Sequence, residues 1–171
     1  MRWYWIDRFI EFESGRYAKA VKNVSLAEEH LHDHFPGYPI MPPSLIIEGV
    51  AQTAGLLVGE YNQFKMKVVL AKVPRAVFYH EAKPGDTLIY TATIDAIHPH
   101  GAAVHATSHL GDKLQAELEL VFAHLGDEFA GRQLFRPGTL THMMRILRAY
   151  EVGRAADGSP LVEPPDDRDA P

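Results

Sequence analysis

From residue 44 to about residue 60 the apolar positions (Leu45, Ile46, Ile47, Val50, Ala51, Ala54, Leu56, Leu57, Val58) run right round a helical cylinder. Ser44, Glu48, Gln52 and Gly55 recur at three- and four-residue steps along one stripe. This predicts a buried helix with a single polar, small-residue seam. Pro43 suits its first turn, where a missing N–H costs little, and Ser44 is the expected cap. From residue 68 the period changes to two. VVLAKVP, AVFYH, TLIYTATIDAI, AAVHATSH and LQAELELVFAH read as strands divided by KPGD, HPHG and LGDK turns. In the last of them Leu114, Ala116, Leu118, Leu120 and Phe122 face one side, and Gln115, Glu117 and Glu119 the other. Ahead of the helix, YAKAVKNVS (17–25) predicts a short edge-like strand, and AEEHLHDHFPGYPIMPP a long polar connection punctuated by proline. A second, amphipathic helix is predicted over 139–151 through Leu140, Met143, Met144 and Leu147, stopping at Gly153. The tail DGSPLVEPPDDRDAP is expected to be mobile or draped rather than folded alone.

One apolar helix followed by a meander of antiparallel strands predicts an α+β architecture, a curved sheet wrapped around that helix. At 171 residues and 46% hydrophobic content the chain can bury one sizeable core. A domain over 1–127 and an extension over 128–171, with one short helix and the Pro/Asp-rich tail, is the expected organisation. The net charge of −5 and the pI near 6.0 argue against nucleic acid as a partner. The absence of cysteine removes disulfides, thiolate metal sites and thiol catalysis, and suits the cytoplasm. The aromatic start MRWYWIDRFIEFE is broken by Asp7, Arg8, Glu11 and Glu13 and has no apolar core of signal-peptide type. No run approaches the roughly 20 apolar residues that span a bilayer, so no membrane insertion is expected. Trp3, Trp5, Phe9 and Phe12 are expected to form a packed amino-terminal cover.

The chemistry concentrates between His34 and Gly55. Glu48 is a carboxylate on an otherwise apolar helix, and removing an ionised carboxyl from water costs several kcal/mol, roughly, unless it is paired, hydrogen-bonded or neutral. A raised pKa is the expectation. A neutral carboxylic acid beside an imidazole, here His34, is a proton-transfer pair. His30, His32 and His34 with Asp33 have a spacing that could suit a metal, but the outer two lie in a solvated loop beside Glu28 and Glu29, and no metal is expected. His98, His100, His105, His109 and His124 are expected at the surface. Lys65, Lys67, Lys72 and Arg75 form a basic cluster in an acidic chain, by default a solvated face, and otherwise a patch to steer an acidic partner.

The run VKNVS, HFPGYPIMP, LIIEGVAQTAG and KPGD resembles the FabZ-type (3R)-hydroxyacyl-acyl carrier protein dehydratases of the hotdog fold, over about residues 3 to 126. The resemblance implies a sheet wrapped around one long central helix, and protomers joined edge to edge as a homodimer or a trimer of dimers. It implies an active site between subunits, no metal or other cofactor, and an acyl substrate carried on acyl carrier protein. It further implies that His34 is the catalytic histidine and Glu48 the catalytic acid, drawn from opposite protomers. Gln52 falls on the glutamine that supports the acid's helix. Gly37, Pro43, Ser44, Gln52 and Phe78 are the implied substrate-binding positions, with Leu45, Ile46 and Phe78 around an acyl tunnel. One position departs from the family. Glycine usually follows the MP dipeptide and offers its N–H to the thioester oxygen, whereas Pro43 has none. Either Ser44 takes over that donation or the activity is weak. The alternatives in other classes are a non-catalytic acyl-thioester-binding subunit and a hotdog thioesterase.

Overall fold

The computed structural model describes residues 3–126, 134 and 138–164. The chain runs β1 (Arg8–Glu13), β2 (Tyr17–Asn23), α1 (His30–Asp33), α2 (Pro43–Tyr61), β3 (Lys67–Phe78), β4 (Thr87–His98), β5 (Gly101–Leu110), β6 (Lys113–Leu125), α3 (Thr139–Ile146), α4 (Ala149–Val152) and β7 (Gly153–Arg154). The strands form one seven-stranded sheet in the order β3-β6-β5-β4-β2-β1-β7. It is antiparallel throughout except where β7 runs parallel to β1. The sheet curls around α2, whose Val50, Ala54, Leu57 and Val58 are fully buried against Leu88 and Tyr90 of β4, Val104 of β5 and Leu118 and Leu120 of β6. This is the α+β hotdog architecture that the sequence implies. Among the described residues, no helix is long and apolar enough to cross a membrane.

Helix and sheet come close together at Gly49. A Cβ there would lie 2.6 Å from the Tyr90 ring and 2.7 Å from the Trp5 carbonyl oxygen. Only a residue without a side chain lets α2 settle that deeply, and the neighbouring Glu48 is positioned by the same contact.

Several expectations need correction. β2 is not an edge strand, since it lies between β1 and β4. The strand β1 was not foreseen, because a register shift between Phe9 and Glu11 breaks its alternation and turns both Phe9 and Phe12 inward. VVLAKVP and AVFYH are one strand, β3, whose register with β6 slips between Leu70 and Lys72 and again between Lys72 and Arg75, around Pro74. The predicted loop 27–43 contains the short helix α1. The predicted helix 139–151 is two helices, α3 and α4, parted at Arg148, which adopts φ 61°. Gln115, expected on the outer face, and His124, expected at the surface, are both buried, at 1% and 8% exposure. Other segments cover them: Gln115 Nε2 donates to the His80 carbonyl at 2.8 Å, and His124 Nδ1 lies 3.3 Å from the Pro99 carbonyl oxygen. Trp5 is buried as expected, but Trp3 is 61% exposed.

Beyond α4 the described residues turn back along β7. Arg154 bridges to Pro160, the Leu161 N–H donates to the Gly153 carbonyl at 3.0 Å, and Leu161 is buried. Residues 165–171 of the tail lie outside the described residues.

Candidate functional site

The segment that carries His34 is a tight turn hung from α1. The His34 N–H donates to the His30 carbonyl at 3.2 Å, and the Ile40 N–H to the His34 carbonyl at 3.0 Å. Between them Phe35 and Tyr38 exchange backbone hydrogen bonds of 3.1 and 2.9 Å. Gly37 supports this turn with φ 77°, a conformation that favours glycine, and open space surrounds the place a Cβ would take. The His34 ring is half-buried and stacks on Phe35, ring centres 4.2 Å apart. The Tyr38 hydroxyl donates to Glu81 at 2.6 Å and accepts from Lys83 Nζ at 2.9 Å, which pins the turn to the segment after β3. The hydrogen bond from Tyr38 holds the Glu81 carboxyl below the usual carboxylate range. His30 packs edge-on against Trp5, ring centres 5.1 Å apart, and burial pushes its imidazole pKa down. Among the described residues no group of three or more His, Asp or Glu side chains is arranged to hold a metal ion.

The turn ends at Met41, whose N–H donates to the Ala82 carbonyl at 2.8 Å, and α2 begins. Pro42 is its N-cap, Pro43 the first helical residue, and no side chain caps the end. Ser44 is therefore inside the helix and not its cap. The Pro42 carbonyl accepts from the Leu45 N–H at 2.9 Å and from the Ile46 N–H at 3.2 Å. Pro43 has no N–H to offer. Among the described residues, the backbone N–H of Ser44 is thus left unpartnered at an exposed helix start, where the peptide dipoles favour negative charge.

Glu48 lies about one turn beyond Ser44. It is half-buried in the single chain, not enclosed, because the seam that carries it faces a cavity instead of the sheet. Gln52, one turn later, is fully committed. Its Nε2 donates to Glu48 Oε1 at 2.9 Å and to the Trp3 carbonyl at 2.8 Å, while its Oε1 accepts from the Trp5 N–H at 2.9 Å. The two amide ends are fixed by these partners, so Gln52 both orients the Glu48 carboxyl and ties the amino-terminal segment to α2.

Among the described residues, two cavities beside α2 concern the predicted site. The smaller, about 160 Å³, opens between Pro43 and Ile46 on the helix and Phe78 and His80 at the end of β3. The larger, about 370 Å³, has Glu48 and Gln52 among its lining and is otherwise mostly apolar, with Leu56 of α2, Leu70 of β3 and Phe122 of β6. The tunnel expected around Leu45, Ile46 and Phe78 is divided accordingly: Ile46 and Phe78 line the smaller cavity, Glu48 and Gln52 the larger, and Leu45 packs against the core. Among the described residues His34 and Glu48 share no hydrogen bond within one chain, and His34 lines neither of these two cavities. The cavity contributions of Trp3, Leu140 and Met143 were not foreseen, since their spacing signals only packing. A third cavity of about 610 Å³ lies at the far end of α2, between Glu60, Tyr150 and the tail, and contains none of the predicted site residues. Burial raises the Glu60 pKa there, against a lowering hydrogen bond from Ser14.

The chain is 38% identical over 118 residues to the 3-hydroxyacyl-(acyl-carrier-protein) dehydratase FabZ of Caldanaerobacter subterraneus subsp. tengcongensis, covering 68% of this chain and 84% of that protein. Among solved structures, it is similar to a Streptococcus mutans protein bound to acetyl CoA, with a TM-score of 0.60 and 17% identity over 74% of this chain and 94% of that one. The dehydratase heterocomplex ApeI:P from Xenorhabdus doucetiae gives a TM-score of 0.59 at 11% identity, over 77% and 89% of the two chains. At such identities the two structures speak to the fold alone. The FabA-like domain matches residues 3–117, from the amino-terminal cover into the first part of β6, and the chain belongs to that family.

Proposed function

We propose that this protein dehydrates 3-hydroxyacyl thioesters, carried on acyl carrier protein, to trans-2-enoyl thioesters in fatty-acid or related acyl synthesis. The observation that carries this reading is the Glu48 carboxyl, oriented by Gln52 at a largely apolar cavity, in a chain of this family. Elimination removes a proton from the carbon next to the thioester carbonyl and expels hydroxide from the adjacent carbon. His34 takes the first proton as base, and Glu48 gives its own to the departing hydroxyl, which leaves as water. The electron pair of the broken C–H bond becomes the new double bond. Negative charge gathers on the thioester oxygen meanwhile, and the free Ser44 N–H supplies the donor that Pro43 cannot.

The pair must meet across two chains. Among the described residues β3 is the last strand of the sheet on one side, and Leu70, Ala71 and Ala76 on it are exposed. Such an edge is a template for a second strand, and joining two copies along it supports a homodimer that brings His34 of one chain to Glu48 of the other. The exposed Lys65 and Lys72 beside that edge suit an acidic carrier. A cytoplasmic location fits the cysteine-free composition.

The test is a spectrophotometric assay at the enoyl absorbance, with acyl carrier protein and coenzyme A thioesters side by side. His34→Ala and Glu48→Gln should each lower kcat by about 100- to 10,000-fold with oligomeric state unchanged. Retained turnover in either variant overturns the assignment. Release of free acid and thiol in place of enoyl product would select a thioesterase, and binding without turnover a non-catalytic subunit.

A further inference from the structure

The helix α3 lies outside the segment matched by the family, yet two of its side chains line the cavity of Glu48. Leu140 and Met143, three residues apart, share one face of α3, and both are partly exposed. Met144 and Leu147 of the same apolar stripe do the anchoring: Met144 is fully buried and Leu147 is 1% exposed. The Leu147 carbonyl accepts from the Phe9 N–H of β1 at 2.8 Å, and Arg145 pairs with Glu163 of the tail. An amphipathic surface helix needs one apolar stripe to hold it down. Here Leu140, Met143, Met144 and Leu147 make that one stripe, and its edge at Leu140 and Met143 meets the space between α2, β3 and β6.

Along α2 the same cavity runs from Glu48 through Gln52 and Gly55 to Leu56, about 12 Å at 1.5 Å per residue. It is polar at the Glu48 end and apolar beyond, which is the pattern a thioester head with an alkyl chain requires. Resting on the dehydratase reading above, we propose that Leu140 and Met143 form a wall of the acyl pocket and determine which acyl lengths this enzyme accepts. The carboxy-terminal extension would then supply specificity to a reaction whose chemistry lies wholly within the matched domain.

The test compares kcat/KM over a series of 3-hydroxyacyl thioesters of increasing length for the wild-type protein, Met143→Ala, Leu140→Ala and Met143→Trp. Truncation should move the ratio of long to short substrates upward, by about fourfold for each further methylene that finds a buried place, and Met143→Trp should move it downward. Thermal melts and oligomeric state identify any variant that fails to fold, and the opposed direction of the tryptophan variant cannot arise from a general loss of stability. Trp3 lines the cavity, so quenching of tryptophan fluorescence by saturated acyl coenzyme A of the same lengths provides a reading free of turnover. An unchanged length ratio in folded truncation and tryptophan variants overturns the proposal. If the wild type dehydrates nothing, the reaction assignment fails by itself, and the binding series still decides the role of α3 by the same criterion.

Discussion

Ser44 follows two prolines at a helix start where three or four N–H groups would ordinarily be free. Pro43 has none, and the Pro42 carbonyl takes the next two after Ser44, so a single amide is left to meet a developing oxyanion. Replacing Ser44 with proline deletes that amide at a position where a helix tolerates proline, and kcat should fall by about 100- to 1,000-fold. Replacing it with alanine keeps the amide and should cost far less. Steady-state kinetics of the two variants separate donation by the backbone from donation by the hydroxyl. At the other end of the helix, burial gives Glu60 a folded-state pKa above its usual 4.5. The folded chain then holds this proton more tightly than the unfolded one. Its contribution to stability is whole below pH 4.5 and is lost as pH rises through the raised folded value. Glu60→Gln should abolish that loss, seen as a flatter dependence of Tm on pH across the mildly acidic range.

At the scale of elements, the depth at which α2 sits is set by Gly49. Gly49→Ala places a methyl group against the Tyr90 ring and the Trp5 carbonyl and should destabilise the fold by about 1–3 kcal/mol, measured by denaturant unfolding. The catalytic rate should fall with it, because Glu48 would move with the helix. How far such elements are legible in sequence depends on what decides them. The seam of Glu48 and Gln52 could be read directly, because residues four apart on a helix face the same way, and the bond between them is there at 2.9 Å. The His34 turn was marked by its prolines and Gly37. By contrast, β1 escaped notice because a bulge put its two phenylalanines three residues apart on one face. Pro74 made one bulged strand look like two. The break between α3 and α4 falls on Arg148, a residue that gives no warning of a left-handed backbone. Alternation assigns Gln115 to the outer face because it reports the face and not what later covers it, whereas His124 shares the parity of the apolar residues Leu114 to Phe122, which agrees with its burial.

For the molecule as a whole, the consequential surface is the outer side of β3, the last strand on that margin among the described residues. The Tyr79 N–H donates inward to the Gln115 carbonyl at 2.8 Å. Strand alternation therefore points the Ala76 N–H outward, away from β6. Ala76→Pro should remove an edge donor without breaking a bond within the chain, since edge strands accommodate proline. The expected outcome is a folded protein with nearly unchanged Tm that sediments as a monomer and has lost its turnover, its half-sites parted. A dimer with full activity would show that the chains join elsewhere. The opposite margin of the sheet is in another condition: Phe9 of β1 is bonded to Leu147, Phe12 and Glu13 pair with β7, and the Ser14 N–H is taken by Arg154 at 2.9 Å. One margin is thus spoken for by the chain's own last segment. Two copies zipped along the remaining one would have no ribbon left to offer a third, so growth by strand addition ends with the pair and does not run on into a fibre.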